Sequence, residues 1–184
     1  MARSTTWTNP LNGLTQGFGT RDSQNNESAT VETEGNVEIL TIVLDWDSLP
    51  AAAGTAATAK DIAIPALSTV SRATLRVLEA FTSAGATTLG IGTKQLDGTV
   101  IDADGIDVAI AKTVIDADND VVQCNGAQVA GVVTVGAADA YISTVVATGP
   151  YTAGKAMLEI EYTRPIPDYA APAPIKSPTL VGGV

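Results

Sequence analysis

The feature that most constrains the fold is a two-residue repeat in the segment "KAMLEIEYT", near the C-terminal end of the chain. The apolar positions of the repeat are Ala156, Leu158, Ile160 and Tyr162. The positions between them are Met157, Glu159 and Glu161. Neighbouring side chains of a β-strand point to opposite faces of a sheet, whereas a helix repeats every 3.6 residues. The segment therefore predicts a strand that buries one face and exposes the other.

Two further segments predict strands with different environments. In "VEILTIVLDW", residues 37–46, apolar side chains fall on both faces, which is typical of a central or doubly covered strand. In "ATLRVL", residues 73–78, the odd-numbered residues are apolar and predict the inner face of a half-buried strand. The dipeptide Asp97-Gly98 predicts a tight turn after "LGIGTKQL".

The whole chain contains about eight such short strands, separated by turn residues, and no long helical pattern. Runs of strands without alternating helices predict an antiparallel sandwich or barrel. The content of 45% hydrophobic and 16% charged residues favours a folded protein over a disordered one. The predicted fold class is mainly β, an antiparallel jelly-roll-like sandwich over residues 36–163, with an immunoglobulin-like sandwich as the alternative.

The two ends of the chain differ from this predicted core. Residues 1–35 are rich in Asn, Gln, Ser, Thr and Gly and predict an extended N-terminal arm, which is either disordered or ordered on a neighbouring subunit. Its isolated apolar residues are Trp7, Leu11, Leu14 and Phe18. Residues 164–184 form a Pro-rich C-terminal tail, and its five prolines favour an extended path because they cannot donate to a sheet.

Residues that the chain lacks disfavour several functions. Without any histidine, Ser-His-Asp and Cys-His catalysis and the usual catalytic zinc sites are excluded. The net charge of -10 repels nucleic-acid phosphates and anionic membranes. Cys124 is the single cysteine, so no disulfide forms within the chain, and a buried thiol is expected. No apolar run reaches the about 20 residues of a membrane span, and no signal peptide is visible. We therefore predict no enzyme activity and no cofactor.

The segment "IDADGIDVAIAKTVIDADND", residues 101–120, holds six aspartates and is the strongest candidate for a site. An EF-hand calcium loop requires an acidic twelfth residue, and neither frame of the segment provides one. Few aromatic residues are present to stack a sugar, which weakens a glycosidase-type carboxylate pair. A looser cation site is a minor alternative. Its ligands would be Asp116, Asp118 and Asp120.

The same segment can instead connect two strands through a short helix over about residues 104–113. Asp104 suits the N-terminal cap of such a helix, and an acidic first turn suits its dipole. The residues that would share its apolar face are Ile106, Ile110 and Val114. The aspartates at 116–120 would then form the exit turn. We expect this helix, while Val108 and Ile115 keep a strand as the alternative.

Three phrases considered together resemble the core of small structural proteins of tailed bacteriophages. They are "IPALSTVSRATLRVLEAF", "LGIGTKQLDGTVIDADGID" and "TGPYTAGKAMLEIEY", and they lie within roughly residues 60–163. The resemblance implies a capsid decoration, or cement, protein with a β-rich core. Proteins of this family usually sit as trimers on the outer capsid shell and bridge neighbouring capsid proteins.

Together these observations predict a virion structural protein on the outer capsid surface that stabilises the shell. The expected partners are the major capsid protein and further copies of the chain in a homotrimer, with no nucleic acid and no membrane. The residues expected to contact the capsid or a neighbour are Trp7, Leu14, Phe18, Tyr169 and Ile175. A phage head-fibre or receptor-binding β module is the alternative, and an enzyme is a third hypothesis.

Overall fold

The computed structural model describes the backbone of residues 5–8, 15–22, 29–34, 37–50, 54–57, 62–129 and 133–165, and the side chains of 37–50, 62–129 and 133–165. The strands within these ranges are β1 (Thr5–Thr8), β2 (Thr15–Asp22), β3 (Ala29–Glu34), β4 (Val37–Asp45), β5 (Gly54–Ala57), β6 (Thr69–Ser83), β7 (Thr88–Lys94), β8 (Val100–Ala111), β9 (Val121–Gln123), β10 (Tyr141–Ala147) and β11 (Tyr151–Thr163). Two 3-10 helices are Trp46–Ser48 and Lys112–Val114. The paired strands are antiparallel, which confirms the predicted mainly β class.

The strands form one sheet of seven strands and one of four. The order is β1-β2-β3-β4-β11-β6-β9 in the first sheet and β5-β10-β7-β8 in the second. When the eight strands from β4 to β11 are numbered 1 to 8, they lie in the orders 1-8-3-6 and 2-7-4-5. The first and last of these strands are therefore neighbours, and most connections cross from one sheet to the other.

The seven-stranded sheet extends three strands beyond β4. Strand β3 pairs with β4 over six residues, from Glu34 opposite Val37 to Ala29 opposite Ile42. Strands β2 and β1 continue the sheet outwards from β3. All three strands fall within residues 1–35, where the sequence predicts an extended arm. Their backbone thus has a register in the sheet, while the division into arm, core and tail stays a prediction.

Strand β11 has the inner and outer faces that its two-residue repeat predicts. Its even-numbered residues from Ala156 to Tyr162 are fully buried, and the residues between them are half-buried on the outer face. On the inner face, Leu158 lies opposite Ile42 of β4 and Leu75 of β6. Burying a side chain of this size is worth about 1.5–3 kcal/mol, so such rows hold the three strands together. The central position of β4 and the half-buried pattern of residues 73–78 are likewise confirmed.

One cluster of buried apolar side chains joins the two sheets. The seven-stranded sheet contributes, among others, Leu40, Ile42, Leu44, Leu75, Phe81 and Leu158. The four-stranded sheet contributes, among others, Leu89, Ile91, Ile106, Ile142 and Val146. The single cysteine, Cys124, belongs to the same cluster, so the expected buried thiol is present.

The predicted helix over about residues 104–113 is wrong. Strand β8 occupies this part of the chain and pairs with β7, and helical structure is limited to the 3-10 turn that follows at Lys112–Val114. A strand satisfies the backbone of this segment through β7, whereas a short helix would have left β7 without its neighbour at the edge of the sheet. The pairing therefore outweighs the capping signal of the aspartates.

The spacing of the apolar residues explains why this segment was ambiguous. Ile106 and Ile110 are both buried, because a spacing of four residues is even and returns to the same face of a strand as well as of a helix. The two structures differ at the next position. A helix would have buried Val114, but Val114 is exposed and Ile115 is buried instead.

Strand β8 is irregular where it passes the middle of β7. Between the pairs Ile91–Asp107 and Thr93–Asp102, the single residue Gly92 of β7 lies opposite four residues of β8, 103–106, which form a bulge. The bulge lies against Gly92, where an added Cβ atom would come within 2.3 Å of the Ala103 carbonyl oxygen. Glycine allows this approach because it has no side chain. The close packing of β8 against β7 therefore requires a glycine after Ile91.

We predict that Gly92→Ala lowers the free energy of unfolding by about 1–3 kcal/mol, because the methyl group forces the β8 backbone to move. The change would be measured as a lower urea midpoint with an unchanged m-value. Gly85→Ala is the matched control, since nothing lies within 4 Å of a Cβ atom at Gly85. Equal midpoints for the two variants would contradict the close approach of β7 and β8.

Candidate functional sites

The first half of the acidic segment lies in the bulge of β8, and a short segment after β9 holds that bulge from its other side. The amide of Gly126 donates to the Ile106 carbonyl, and the amide of Gln128 donates to the Gly105 carbonyl, both at 2.9 Å. The buried Gln128 side chain contacts Thr93, whose Oγ1 lies 3.1 Å from Oε1 and 3.0 Å from Nε2. Leaving a buried polar group unpaired costs about 1–3 kcal/mol, so these contacts fix the path of β8.

Asp107 is buried in the same place and accepts hydrogen bonds from the backbone. The amide of Ala109 donates to Oδ1 and the amide of Asn125 donates to Oδ2, both at 3.3 Å. Burial raises the pKa of Asp107 above its usual value, and the two amides oppose that rise. Burial and the charge of Asp107 raise the pKa of the Cys124 thiol to about 12. Cys124 is therefore protonated at neutral pH and does not act as a nucleophile.

Asp102 and Asp104 form a pair of carboxyl groups at the start of the bulge. The amide of Asp104 donates to Asp102 Oδ1 at 3.3 Å. Burial raises the pKa of Asp102 above its usual value, and the adjacent Asp104 carboxyl raises it further through a shared hydrogen bond and through charge repulsion. The folded state therefore binds a proton at Asp102 more tightly than the unfolded chain does, so ionising Asp102 opposes folding.

We predict that Asp102→Asn increases the free energy of unfolding at pH 7 by less than about 1 kcal/mol, since the residue is only half-buried. Because the pKa of Asp102 is raised in the folded state, the wild type loses stability as pH rises through that pKa. The gain should disappear below the usual pKa of 3.8, where the wild-type carboxyl is protonated too. Urea unfolding at a series of pH values measures it. A gain that is equal at pH 3 and pH 7 would contradict this assignment.

The second half of the acidic segment forms a loop against β6. The amide of Val77 donates to the Asp120 carbonyl at 2.9 Å, and the amide of Asn119 donates to the Val77 carbonyl at 3.0 Å. Asn119 has a φ of 70°, in the left-handed region that asparagine tolerates. The side chain of Asp118 joins in, because its Oδ1 accepts the amide of Ala80 at 2.8 Å. The loop thus continues along β6 the pairing that β9 begins.

The three aspartates of the minor cation alternative are therefore placed differently from one another. Asp118 binds the backbone of β6, and Asp120 Oδ2 accepts the amide of Ala117 at 3.0 Å within the loop. Asp116 is exposed. Among the described residues, no group of three acidic or cysteine side chains is arranged to hold a metal ion. The carboxylate of Asp118 therefore holds the loop against β6, and that of Asp120 closes the loop.

We predict that Asp118→Ala lowers the free energy of unfolding by about 1 kcal/mol, because the amide of Ala80 loses its acceptor. Asp116→Ala is the matched control, and its effect should stay within about 0.5 kcal/mol. The test also compares the Tm of the wild type and of both variants with and without millimolar calcium. A calcium-dependent rise in Tm that both variants lose would contradict the structural role and establish a cation site.

A buried carboxylate lies where the seven-stranded sheet ends, beside the start of the tail. Glu38 is almost fully buried on β4, and the Tyr162 hydroxyl donates to its Oε2 at 2.5 Å. Arg164 Nη2 contacts Glu38 Oε1 at 2.6 Å. A buried charge is tolerated when it is paired and hydrogen-bonded. These contacts hold Arg164, and with it the point from which the chain continues into the tail.

Two of the five residues predicted to contact the capsid or a neighbour lie in described strands. Trp7 lies in β1 opposite Gln16, and Phe18 lies in β2 between Thr5 of β1 and Glu34 of β3. Leu14, Tyr169 and Ile175 lie outside the described residues. No described helix is long and apolar enough to cross a membrane. The backbone thus brings two of the five predicted residues into one sheet, and their role in contacts stays a prediction.

Comparison with known proteins shows the fold. No protein-family model and no curated protein matches the chain. A chain from the capsid of Ralstonia phage GP4 is 18% identical, has a TM-score of 0.53, and is matched over 73% of this chain and 88% of its own length. A chain from the cyanophage Pam1 capsid asymmetric unit is 20% identical, has a TM-score of 0.51, and is matched over 79% and 97%. At these identities the likeness establishes a common fold.

Proposed function

We propose that the protein is a virion structural protein of a bacteriophage and that it decorates the outer capsid surface as a cement protein. The observation that carries this proposal is the match to two phage capsid chains over 88% and 97% of their own lengths. Almost the whole of each chain therefore corresponds to this protein. Since sequence identity is only 18–20%, the shared property is the arrangement of strands and not a set of functional residues.

The size of the matched chains favours decoration over formation of the shell itself. Because 73% of the 184 residues correspond to 88% of the phage GP4 chain, that chain is only about 150 residues long. The match of 79% of this chain to 97% of the cyanophage Pam1 chain likewise gives a length of about 150 residues for that chain. A chain of this length holds one domain. A single small domain suits a protein that is added to a shell.

We also propose that the eight strands from β4 to β11 are a jelly roll. The orders 1-8-3-6 and 2-7-4-5 support this, since they are two sets of four strands, one in each sheet, connected by crossing Greek-key links. Such a domain presents loops at both ends and sheet faces on both sides. It therefore offers several surfaces to neighbouring subunits.

A structural role also agrees with the chemistry of the acidic segment. The carboxylates of Asp107, Asp118 and Asp120 accept backbone amides, so they are engaged in holding loops and the bulge. The thiol of Cys124 is protonated and buried. These observations favour a virion structural protein over an enzyme.

The proposed mechanism is stabilisation by mass action. A protein that binds the assembled shell and not its dissociated subunits shifts the equilibrium towards the shell. In a homotrimer, three weak contacts with the major capsid protein would act together, which raises the overall affinity by orders of magnitude. Trp7 and Phe18 are the proposed contacts within the described strands, and Leu14, Tyr169 and Ile175 are the proposed contacts outside them.

The test adds the purified protein to shells assembled from the major capsid protein of the same phage. We expect saturable co-sedimentation and a higher temperature of shell disassembly. A lack of binding, or a shell that does not assemble without this chain, would contradict the decoration role. Binding at a few sites as a projecting appendage would favour the head-fibre alternative.

A matched pair of tryptophan variants tests the proposed contact residues in the same assay. Trp7→Ala should weaken binding to shells at least about tenfold, because aromatic anchors carry much of the energy of an interface. Trp46→Ala removes an exposed tryptophan of the 3-10 helix Trp46–Ser48 and should leave binding unchanged. Equal affinities of the two variants would contradict the role of Trp7 while leaving decoration itself intact.

A further inference from the structure

One end of the two-sheet domain carries exposed apolar side chains on two loops and on the hairpin between β7 and β8. Leu67 is 54% exposed, Leu96 69%, Val100 53% and Val133 52%. We call this set of four residues the apolar end. Exposed apolar residues scattered singly need no explanation, whereas a set gathered at one end of a domain indicates a contact surface.

Backbone pairing places Leu67 and Val133 at this end. The amide of Leu67 donates to the Gly136 carbonyl at 2.7 Å, and the amide of Val135 donates to the Ser68 carbonyl at 3.0 Å. Val133 precedes Val135 by two residues, so it lies beside the turn that carries Leu67.

The hairpin between β7 and β8 brings the other two residues to the same end. Leu96 lies in the turn of this hairpin, which the amide of Gln95 closes on the Thr99 carbonyl at 2.8 Å, and Val100 begins β8. The last residue of β7 pairs with Tyr141, directly after the Ala140–Ile64 bridge that leads to the turn of Leu67.

The turn that carries Leu67 is strained and firmly held. Leu67 has a φ of 61°, in the left-handed region that costs an L-residue free energy because its Cβ crowds the backbone. Hydrogen bonds hold it there, since the amide of Ser68 donates to the Pro65 carbonyl and the amide of Ala66 donates to Asp139 Oδ1. A strained backbone that points an exposed leucine outwards is typical of a contact site.

The C-terminal tail starts at this same end. Thr163, the last residue of β11, pairs with Thr69 of β6, two residues after Leu67. Arg164 follows and is fixed by its ion pair with the buried Glu38. The 19 residues from 166 to 184 therefore begin beside the apolar end. Their apolar residues are Ile166, Tyr169, Ala170, Ala171, Ala173, Ile175, Leu180, Val181 and Val184.

The length and stiffness of the tail decide which copy of the apolar end it can reach. At about 3.1 Å per residue for an extended Pro-rich path, 19 residues span about 60 Å. Strand β11, with 13 residues, is about 43 Å long at 3.3 Å per residue. Strand β11 runs towards the apolar end, and prolines at 165 and 167 favour a continued extended path, so we expect the tail to lead away from its own copy. Its distal residues can therefore reach a neighbouring copy.

We infer that the tail of one copy packs on the apolar end of a neighbouring copy. Distal apolar residues of the tail, around Leu180 and Val181, contact Leu67 and Leu96 of the second copy. Extended Pro-rich segments bind apolar surfaces with little loss of conformational freedom, because proline already restricts the free chain. This contact links copies of the chain in solution and does not depend on the proposed capsid role.

Disulfide trapping tests the contact with the full-length chain and without any capsid. One protein carries Leu180→Cys, and a second, distinguished by an affinity tag, carries Leu96→Cys. Since each copy has one introduced thiol and Cys124 is buried, a covalent heterodimer forms only through a contact between copies. Under a mild oxidant we expect the heterodimer to form at least about tenfold faster than with Val108→Cys in place of Leu96→Cys, because Val108 is also exposed but lies further along β8. Equal rates, or no heterodimer, would overturn the inference.

Leu67→Gly in the copy that carries Leu96→Cys separates contact from folding. Glycine adopts the φ of 61° without strain, so this variant should melt no lower than its parent. We expect the heterodimer to form at least about fivefold more slowly, because the apolar contact is lost. An unchanged rate would overturn the role of Leu67. Protection of the thiol introduced by Leu96→Cys from thiol reagents only when shells are added would show that the capsid, and not the tail, occupies the apolar end.

Discussion

The structure depends on the insertion of strand β11 between β4 and β6. The last strand of the domain is thereby paired on both edges, and its inner side chains, such as Leu158, bridge Ile42 and Leu75 into one row of the core. The rest of the seven-stranded sheet is built outwards from these three strands. The extension β1–β3 continues outwards from β4, and the loop that contains Asp118 continues along β6. The buried Glu38–Arg164 pair fixes the point at which the tail departs.

A second constraint is the close passage of β8 over β7, which gives the acidic segment its structural role. Gly92 leaves space for the bulge, and on the opposite side the amide of Gln128 donates to the Gly105 carbonyl and the amide of Asn125 donates to Asp107 Oδ2. Raised pKa values at Asp102 and Asp107 follow from this burial. The ionisable side chains of this segment therefore have a structural role in the bulge. The aspartates that first suggested a metal or catalytic site instead shape one edge of the four-stranded sheet.

The sequence predicts those strands in which one face is buried and the other exposed. The prediction fails for segments whose structure is decided by hydrogen bonding to a neighbouring strand. The alternation in β11 and in residues 73–78 is visible because one face is apolar and the other is not. The apolar pattern of the acidic segment does not distinguish a helix from a strand, since the spacing of Ile106 and Ile110 suits both. Strands β1–β3 have no apolar repeat, and only the pairing of β3 with β4, and of β2 and β1 beyond it, reveals them. The strained Leu67 has no sequence signal, because its φ follows from the contacts of its turn.

The proposed decoration role attaches this small two-sheet domain to the outside of a phage shell. A cryo-electron-microscopy reconstruction of the virion that carries this chain tests the claim most directly. The account predicts a separate domain on the outer surface, with two sheets in the orders observed here and its termini directed towards neighbouring subunits. Density for this chain within the continuous shell, or its absence from the particle, would contradict the account.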